Sequence, residues 1–255
     1  MATLALLLAL SVLATPARPH CLCGHKRGHQ SEWHRTGIDV KKCHMLATPF
    51  CNAMEVAINR TRSAAAAAGT NGSVGATADV GAAYGIEAMI ARKSHSRVFS
   101  FEGRSDEYAR LRQMFRRDPG VTVEHACVSN RTGTATLGLA GHSSEMVTAD
   151  NAKHFQQAGS GGTEEVKLVV LDDYFKNGPT LMMLKVDVQG HEQEVLEGAR
   201  ATINRDRPFI FYEEEFFASD PRRRGGLLLE KVLAGTSASG SYRCTCALQD
   251  CFCVP

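Results

Sequence analysis

The sequence contains few aromatic residues, little net charge and no apolar run long enough to cross a membrane. Aromatic side chains make up 7% of the 255 residues and include a single Trp, so a platform for stacking nucleic-acid bases is not indicated. Lys and Arg number 29 against 27 Asp and Glu, a balance that gives no strong field for a polyanion. A transmembrane helix needs about 20 apolar residues, and the apolar run near the N-terminus is shorter. We therefore expect no nucleic-acid partner and no stable membrane span.

Motifs of several common enzyme classes are also missing. The sequence has no G-x-S-x-G motif, no Walker motif and no dinucleotide-binding G-x-G-x-x-G. His191-Glu192 lacks a second His four residues on, which excludes a zinc-protease helix. Hydrophobic residues at 44% and charged residues at 22% are ordinary for a globular chain, and the length suffices for one α/β domain.

Residues 1–17 have the pattern of a secretory signal peptide. An uncharged apolar core, Leu4–Leu13, is followed by the small residues Ala14 and Ala17. No Lys or Arg precedes this core, and an uncleaved anchor is the alternative. Three Asn-x-Ser/Thr glycosylation motifs agree with a secreted glycoprotein, or one of the secretory-pathway lumen; they begin at Asn59, Asn71 and Asn130.

The cysteines agree with an oxidising compartment. Eight of the nine lie near the two ends of the chain and only Cys127 lies between them; the eight are Cys21, Cys23, Cys43, Cys51, Cys244, Cys246, Cys251 and Cys253. Two short strands, Ser241–Ala247 and Cys251–Val254, predict a C-terminal hairpin with Cys246 opposite Cys251 and Cys244 opposite Cys253. We expect the eight to form disulfides.

The sequence leaves the partners of these cysteines open. Disulfides across the hairpin are one possibility, and disulfides from the hairpin to the N-terminal cysteines are another. We favour at least one N-to-C disulfide, because the N-terminal segment has little core of its own to keep it docked. Four thiolates on one face of the hairpin, holding zinc, are the third possibility.

The chain divides into the signal peptide, a Cys- and His-rich extension with a linker at 18–75, and a domain at 76–255. Within the extension, Thr48-Pro49 predicts the N-cap and first position of a helix. Phe50, Met54 and Ile58 follow at helical spacing. The low-complexity segment Ser63–Gly75 predicts a linker.

Within the domain, short apolar runs alternate with segments of helix length. Strands are predicted at Ala76–Val80, Arg97–Glu102, Val121–Val128, Leu181–Asp187 and Pro208–Glu213. Helices are predicted near Tyr84–Lys93, Asp106–Arg117, His191–Asn204 and Gly226–Leu233. This alternation predicts a parallel sheet with helices on both faces. Additional strand-like material lies between the third and fourth strands, at Thr134–Leu139 and Glu165–Val170.

Three groups that carry chemistry follow the ends of predicted strands. The segment DVGAAYG (79–85) ends the first strand, and glycines at such a turn let the backbone approach a ligand. Glu102 ends the second strand 21 residues after Gly81, near the spacing at which an acidic residue binds a ribose diol. Asp187 ends the fourth strand within LKVDVQGHE. The glycine turn and Glu102 together favour a nucleoside-containing ligand, and Asp187 lies at the carboxyl edge where ligands bind in such sheets.

The order of these segments resembles the FkbM family of S-adenosylmethionine-dependent methyltransferases. DVGAAYG, FSFEG, VVLDDYF, LKVDVQGHEQEVLEGA and RPFIFYEEE follow one another over roughly residues 77–215, and LDDYF followed by LKVDVQGHE is the most distinctive part. The resemblance implies an α/β, doubly wound, mostly parallel seven-stranded Rossmann-like methyltransferase sheet. The Cys-rich N-terminal extension lies outside the resemblance, and the C-terminal hairpin supplies the last two strands, one of them antiparallel.

The resemblance also implies S-adenosylmethionine as the cofactor and assigns residues to it. The implied cofactor-binding residues are Asp79, Gly81, Tyr84, Gly85, Glu102 and Cys127. Glu102 would bind the ribose hydroxyls, and Cys127 would lie near the adenine. Asp187 would face the methyl group and the acceptor. The chain departs from the family pattern at Gln189, where Glu is usual, and at His191, where a small residue is usual.

We therefore expect a methyltransferase that acts on a hydroxyl of a sugar or another small molecule, with Asp187 or His191 as the catalytic base. No metal ligands are predicted at the site. The alternative is a catalytically inactive, disulfide-stapled extracellular binding module on the same fold. A different nucleotide in the same crevice, such as a nicotinamide cofactor, is disfavoured by the missing G-x-G-x-x-G.

Overall fold

The computed structural model describes residues 40–67, 75–94, 96–140, 143–147, 162–214, 226–247 and 250–255. The predicted signal peptide at 1–17, together with Cys21, Cys23 and Asn71, lies outside these residues. Within the described ranges, no helix combines the length and the apolar character that a bilayer span requires.

The strands form two sheets. They are β1 (Ala76–Val80), β2 (Val98–Glu102), β3 (Val121–His125), β4 (Cys127–Val128), β5 (Gly133–Ala140), β6 (Ser143–Met146), β7 (Thr163–Val169), β8 (Leu181–Val186), β9 (Phe209–Glu213), β10 (Arg243–Ala247) and β11 (Asp250–Val254). The large sheet has seven strands in the order β10-β11-β9-β8-β1-β2-β3, and the small sheet has four in the order β4-β7-β5-β6.

The large sheet confirms the predicted architecture. Strands β3, β2, β1, β8 and β9 are parallel to one another, whereas β11 is antiparallel to both β9 and β10. All residues of β1, β2 and β8 are buried, as expected of parallel strands covered on both faces. The chain first builds the sheet from β1 towards β3 and then continues with β8 on the other side of β1. The order of the strands therefore reverses between β1 and β8.

Helices cover both faces of this sheet. They are α1 (Val40–Ala67), α2 (Ile86–Lys93), α3 (Ser105–Phe115), α4 (Leu171–Tyr174), α5 (Glu192–Gly198), α6 (Arg200–Asp206) and α7 (Leu227–Leu233). One apolar cluster joins α1, α2 and α3 to Phe209 and Phe211, and the other joins α4 to α7 to Ile210 and Tyr212. The side chains of successive residues of β9 thus pack on opposite faces of the large sheet. The helix predicted at 191–204 is two helices, because Ala199 leaves helical geometry between them.

The small sheet lies in the connection between β3 and β8. Strand β5 includes the predicted run Thr134–Leu139, and β7 includes the predicted run Glu165–Val170 except for its last residue, which precedes α4. Strand β6 was not predicted from the sequence, because its residues are polar. Leu137 and Val166 are buried between the small sheet and the carboxyl edge of the large one. The small sheet therefore adds a wall at the edge where the predicted site lies.

Helix α1 begins earlier than the sequence predicts. It starts at Val40 and contains Pro49, so the expected start at Thr48-Pro49 is wrong. A proline inside a helix removes one hydrogen bond and costs about 3 kcal/mol, which burial of the following turns offsets. Phe50, Met54 and Ile58 are buried at the predicted helical spacing. The helix also continues to Ala67, since the alanine run after Ser63 favours helix over linker.

The C-terminal hairpin has the predicted register but not the favoured disulfides. Cys244 pairs with Cys253 and Cys246 with Cys251, and each pair is joined by a disulfide across the two strands. The expected N-to-C disulfide is wrong, because each hairpin cysteine has a partner directly opposite, with Cα atoms 4.0 and 4.1 Å apart. The zinc alternative is wrong for the same reason. Cys51 is disulfide-bonded as well.

Apolar contacts to the sheet dock α1 without a disulfide from the hairpin. Phe50 is fully buried, and its ring meets Phe211 of β9 edge to face with the centroids 5.5 Å apart. We predict that Phe50→Ala lowers the free energy of unfolding by about 3–5 kcal/mol, measured by urea denaturation. Leu227→Ala is the control, since Leu227 is 40% exposed and should change stability by less than about 0.5 kcal/mol. A loss below about 1 kcal/mol for Phe50→Ala would mean that α1 is not part of the core.

Candidate active site

A cleft of about 220 Å³ opens at the carboxyl edge of the large sheet. Residues that follow β1, β2, β3 and β8 line it, so it lies next to the point where the strand order reverses. Ligands bind at this position in open α/β sheets. Five of the predicted site residues line the cleft: Gly81, Glu102, Cys127, Asp187 and His191.

The turn after β1 lies directly against the segment after β8. Gly81 has a φ of +74°, and a Cβ added to it would lie 1.8 Å from the carbonyl oxygen of Asp187. Asp187 N in turn donates to Val80 O at 3.1 Å. The two loops touch through their backbones, which only glycine permits at position 81.

A buried ion pair lies beneath this contact. Asp79 Oδ1 lies 3.4 Å from Lys185 Nζ, and both side chains are almost inaccessible to solvent. Lys185 Nζ donates to Gly81 O at 2.6 Å and to Val80 O at 3.3 Å. Asp79 therefore stands below the cleft and supports its floor through Lys185. Lys185 was missed as a site residue, although a single charge in the apolar strand LMMLKV was a visible signal.

The pKa values of this pair reflect two opposing effects. Burial raises the pKa of Asp79 above its ordinary value, although Lys185 opposes the rise. Burial alone would lower the pKa of Lys185, but the surrounding carboxylates of Asp187, Asp79 and Glu87 outweigh it and raise the pKa. Lys185 is therefore charged at neutral pH, and it compensates the negative groups around it.

Two residues of the first motif lie outside the cleft. Gly85 precedes α2 with a φ of +75° and packs against Leu111 of α3. Tyr84 packs on the apolar cluster of α1 to α3, and the guanidinium of Arg110 lies 4.9 Å from its ring centroid. The structure thus gives both residues a packing role and does not bring them to the cleft.

Glu102 closes the second strand with its carboxylate in the cleft. Its Oε2 accepts from Ala83 N and its Oε1 accepts from Arg104 N, both at 2.8 Å. Burial raises the pKa of Glu102, while the two amide hydrogen bonds oppose the rise. Each oxygen uses one acceptor position for the backbone and retains another for a ligand hydroxyl. The carboxylate is therefore fixed in place before a ligand binds.

Cys127 forms part of the wall next to Glu102. A Cβ added to Gly103 would lie 2.4 Å from Cys127 Sγ, so the thiol packs directly on that backbone. Burial, with the carboxylates of Glu102 and Glu164, raises the pKa of the thiol to about 12. Because only a thiolate is a strong nucleophile, Cys127 acts here as a small apolar surface.

Asp187 and His191 line the cleft from the segment after β8. The Asp187 side chain is 38% exposed and its Oδ2 lies 3.7 Å from Lys185 Nζ. His191 Nε2 lies 3.1 Å from Ser129 Oγ, and its Nδ1 lies 3.4 Å from Glu194 Oε2. Burial lowers the pKa of His191, so its ring is uncharged at neutral pH. Both ring nitrogens have protein partners, whereas Asp187 keeps exposed carboxylate surface.

The family model for the methyltransferase FkbM domain matches residues 79–232 of this chain. The chain belongs to the FkbM methyltransferase family. The matched residues run from β1 to α7 and contain every cleft residue named above, which confirms the resemblance drawn from the sequence.

Individual relatives of this member of the FkbM family are distant. Hexuronic acid methyltransferase AglP of Haloferax volcanii is 30% identical over 127 residues, which cover 47% of this chain and 48% of the relative. This chain therefore spans about half the length of that curated relative. Methyltransferase FkbM from Methylobacillus flagellatus KT is a structural match at 18% identity, with a TM-score of 0.47, covering 70% of this chain and 43% of that one. Monomeric WbdD matches at 11% identity with a TM-score of 0.38, over 79% and 40% of the two chains.

Besides Cys127 and Val128 of β4, two further cleft residues of this FkbM domain come from the small sheet. Ser144 and Met146 of β6 line the cleft opposite the loops of the large sheet. No sequence pattern indicates these two residues, because β6 is short and polar and its place at the cleft depends on its pairing with β5.

The contact between Gly81 and Asp187 predicts a large effect for a single methyl group. Gly81→Ala should lower the free energy of unfolding by about 1–3 kcal/mol more than Gly235→Ala does, measured by urea denaturation. Gly235 is a matched control, because it has a φ of +72° and nothing within 4 Å of an added Cβ. The control isolates the strain of a positive φ from the steric overlap. Equal effects of the two substitutions would contradict the close approach of the loops.

Proposed function

We propose that this protein transfers a methyl group from S-adenosylmethionine to a hydroxyl oxygen of a sugar or another small molecule. Family membership supports methyl transfer as the reaction class. The observation that carries the proposal is the convergence of Gly81, Glu102 and Asp187, from three different strands, on one cleft. No feature of the described residues favours the alternative of an inactive binding module.

The cleft has the donor and acceptor groups that a nucleoside cofactor needs. Two backbone amides hold the Glu102 carboxylate in place, and each of its oxygens keeps an acceptor position for a ribose hydroxyl. Gly103 and Cys127 offer a flat, weakly polar surface beside it. Gly81 lines the cleft as well, at the turn that contacts the Asp187 backbone. When bound, S-adenosylmethionine supplies an electrophilic methyl group on a positively charged sulfur.

Asp187 is the better placed of the two candidate bases. The acceptor hydroxyl must lose its proton as its oxygen gains the methyl group, and the base must reach that proton. His191 would first have to release Ser129, because a neutral ring that donates from Nδ1 to Glu194 accepts at Nε2. Asp187 has exposed oxygens in the cleft, and Lys185 stabilises its charge. We assign the base to Asp187 and a supporting role to His191.

A sugar fits the polar groups at the mouth of the cleft. Asp187 and Gln189 offer side-chain oxygens within one loop, and Ser144 of β6 offers a hydroxyl. Hydroxyl-rich acceptors are bound by such sets of short polar contacts. The name of the curated relative, a hexuronic acid methyltransferase, agrees with a carbohydrate acceptor.

We infer that the protein works in an oxidising compartment such as the secretory pathway or the cell exterior. The two disulfides of the hairpin support this, since cross-links of this kind are rare in reducing compartments. Asn59 and Asn130 of the predicted glycosylation motifs are both exposed, as attachment of a glycan requires.

Loss of the Glu102 carboxylate should weaken binding through the ribose hydroxyls. We predict that Glu102→Ala lowers affinity for S-adenosylmethionine by about 10- to 100-fold, measured by isothermal titration calorimetry, and barely changes affinity for the 2′,3′-dideoxy analogue. Glu165→Ala, an exposed carboxylate on β7, is the control. If the variant loses affinity for both ligands equally, Glu102 only supports the loop and does not bind the ribose.

Asp187 should matter for turnover more than for folding. Asp187→Asn should keep the melting temperature within about 3 °C and lower kcat by at least about 100-fold, because a general base contributes about 10²–10⁴ in rate. The assay follows tritium from labelled S-adenosylmethionine into a panel of neutral and acidic saccharides. His191→Asn should lower kcat by less than about tenfold. The reverse order of the two effects would move the base to His191.

A further inference from the structure

Gln189 joins two carboxylates at the mouth of the cleft. Its Nε2 donates to Asp187 Oδ1 at 3.0 Å and to Glu213 Oε2 at 3.3 Å. An amide nitrogen carries two hydrogens, so it can serve both acceptors at once, and the amide oxygen could serve neither. The orientation of the amide therefore follows from its neighbours. Glu213 is the last residue of β9, and the link thus spans the loops after β8 and β9.

The backbone holds Gln189 in an uncommon conformation. Its φ is +56°, and Gly190 follows with a φ of +96°. Glu192 fixes this turn from α5, because its Oε1 accepts from Val188 N and its Oε2 accepts from Gly190 N, each at 3.0 Å. A non-glycine residue at positive φ costs about 1 kcal/mol or more and persists where the surroundings define it, often at functional sites. The turn directs the amide of Gln189 back towards Asp187.

The charges around Asp187 make a neutral donor valuable. Asp187 acts electrostatically on several ionisable groups of neighbouring elements: Asp79 of β1, Glu87 of α2, Lys185 of β8, Glu192 of α5 and Asp250 of β11. Glu213 adds another carboxylate through Gln189 itself. Lys185 is the one cation in this set. An amide adds a hydrogen bond to Asp187 without adding a further negative charge, whereas a carboxylate in its place would repel both partners.

We propose that Gln189 is a positioning residue for methyl transfer, whose amide orients the Asp187 carboxylate towards the acceptor hydroxyl. The inference rests on the proposed function and on the role of Asp187 in it. The amide holds Oδ1 on one side and Lys185 lies beside Oδ2 on the other, so the carboxylate cannot rotate freely. The acceptor proton passes to Asp187 while the acceptor oxygen gains the methyl group. An acceptor in the cleft also displaces water from Gln189 and strengthens the hydrogen bond.

Two substitutions of nearly unchanged shape separate the donor from the charge. Gln189→Met removes the amide and should lower kcat about tenfold, with the KM for S-adenosylmethionine changed less than about twofold. Gln189→Glu places a third carboxylate between Asp187 and Glu213. It should move the acid limb of the kcat profile to higher pH by about one unit, because the added negative charge favours a bound proton. Melting temperatures of both variants should stay close to that of the parent.

Gln193 provides matched controls on the neighbouring helix. Its Nε2 donates to Glu197 Oε1 at 2.8 Å, so it also contacts a carboxylate, but it does not line the cleft. Gln193→Met and Gln193→Glu should leave kcat and its pH profile unchanged. If the Gln189 variants behave like these controls, Gln189 has no part in positioning Asp187.

A measurement without turnover separates this inference from the proposed function. The side-chain amide signals of Gln189, assigned by their loss in Gln189→Met, should titrate with the carboxylates in a nitrogen–proton NMR spectrum. They should shift when Asp187→Asn is introduced. If these shifts appear in a protein that transfers no methyl group, the hydrogen bond from Gln189 to Asp187 is confirmed and the proposed function fails. Ordinary amide shifts, insensitive to pH and to Asp187→Asn, would overturn the inference whatever the activity.

Discussion

The ion pair between Asp79 and Lys185 is the contact on which the active edge of this fold depends. It joins β1 to β8 at the point where the strand order reverses, and Lys185 also binds the carbonyls of Val80 and Gly81. Burying the two charges costs several kcal/mol each. The ion pair therefore contributes by holding β1, β8 and the Gly81 turn in place. Removing one partner would leave the other charge buried and the Gly81 turn without its anchor. The parts of the cleft wall that follow β1 and β8 share this anchor.

The sequence predicts the centre of the sheet better than its edges. Strands β1, β8 and β9 are short, mainly apolar runs that are buried in the structure. Their composition identifies them as strands without knowledge of the strands beside them. The hairpin register follows from the spacing of Cys246 and Cys251 around a short turn. The disulfide partners do not follow from composition, because they depend on which elements lie side by side. The start of α1 was misplaced for a related reason: Pro49 has the local signal of a helix start, and tertiary packing overrides it.

The candidate site could be predicted wherever a residue ends a strand. Gly81, Glu102 and Asp187 line one cleft because the carboxyl ends of parallel strands lie at the same edge of the sheet. Tyr84 and Gly85 belong to the same motif as Gly81 but do not line the cleft, because the chain has already turned towards α2 there and packs on the core. Lys185 lies within β8 and not at its end, so the position of strand ends does not identify it. Ser144 and Met146 arrive from a separate sheet, and no local pattern could place them there.

The two residues at which this chain departs from the pattern that the resemblance implies, Gln189 and His191, lie in one loop and restrain it from two sides. Gln189 ties the loop after β8 to Glu213 of β9, and His191 ties it to Ser129, which follows β4. Each hydrogen bond is modest alone, but together they restrain a turn that already carries positive φ angles at Gln189 and Gly190. A carboxylate at 189 would repel Asp187 and Glu213, whereas the amide attracts both. The neutral residue thus joins two carboxylates without adding a third, and these hydrogen bonds restrain the loop that contains Asp187.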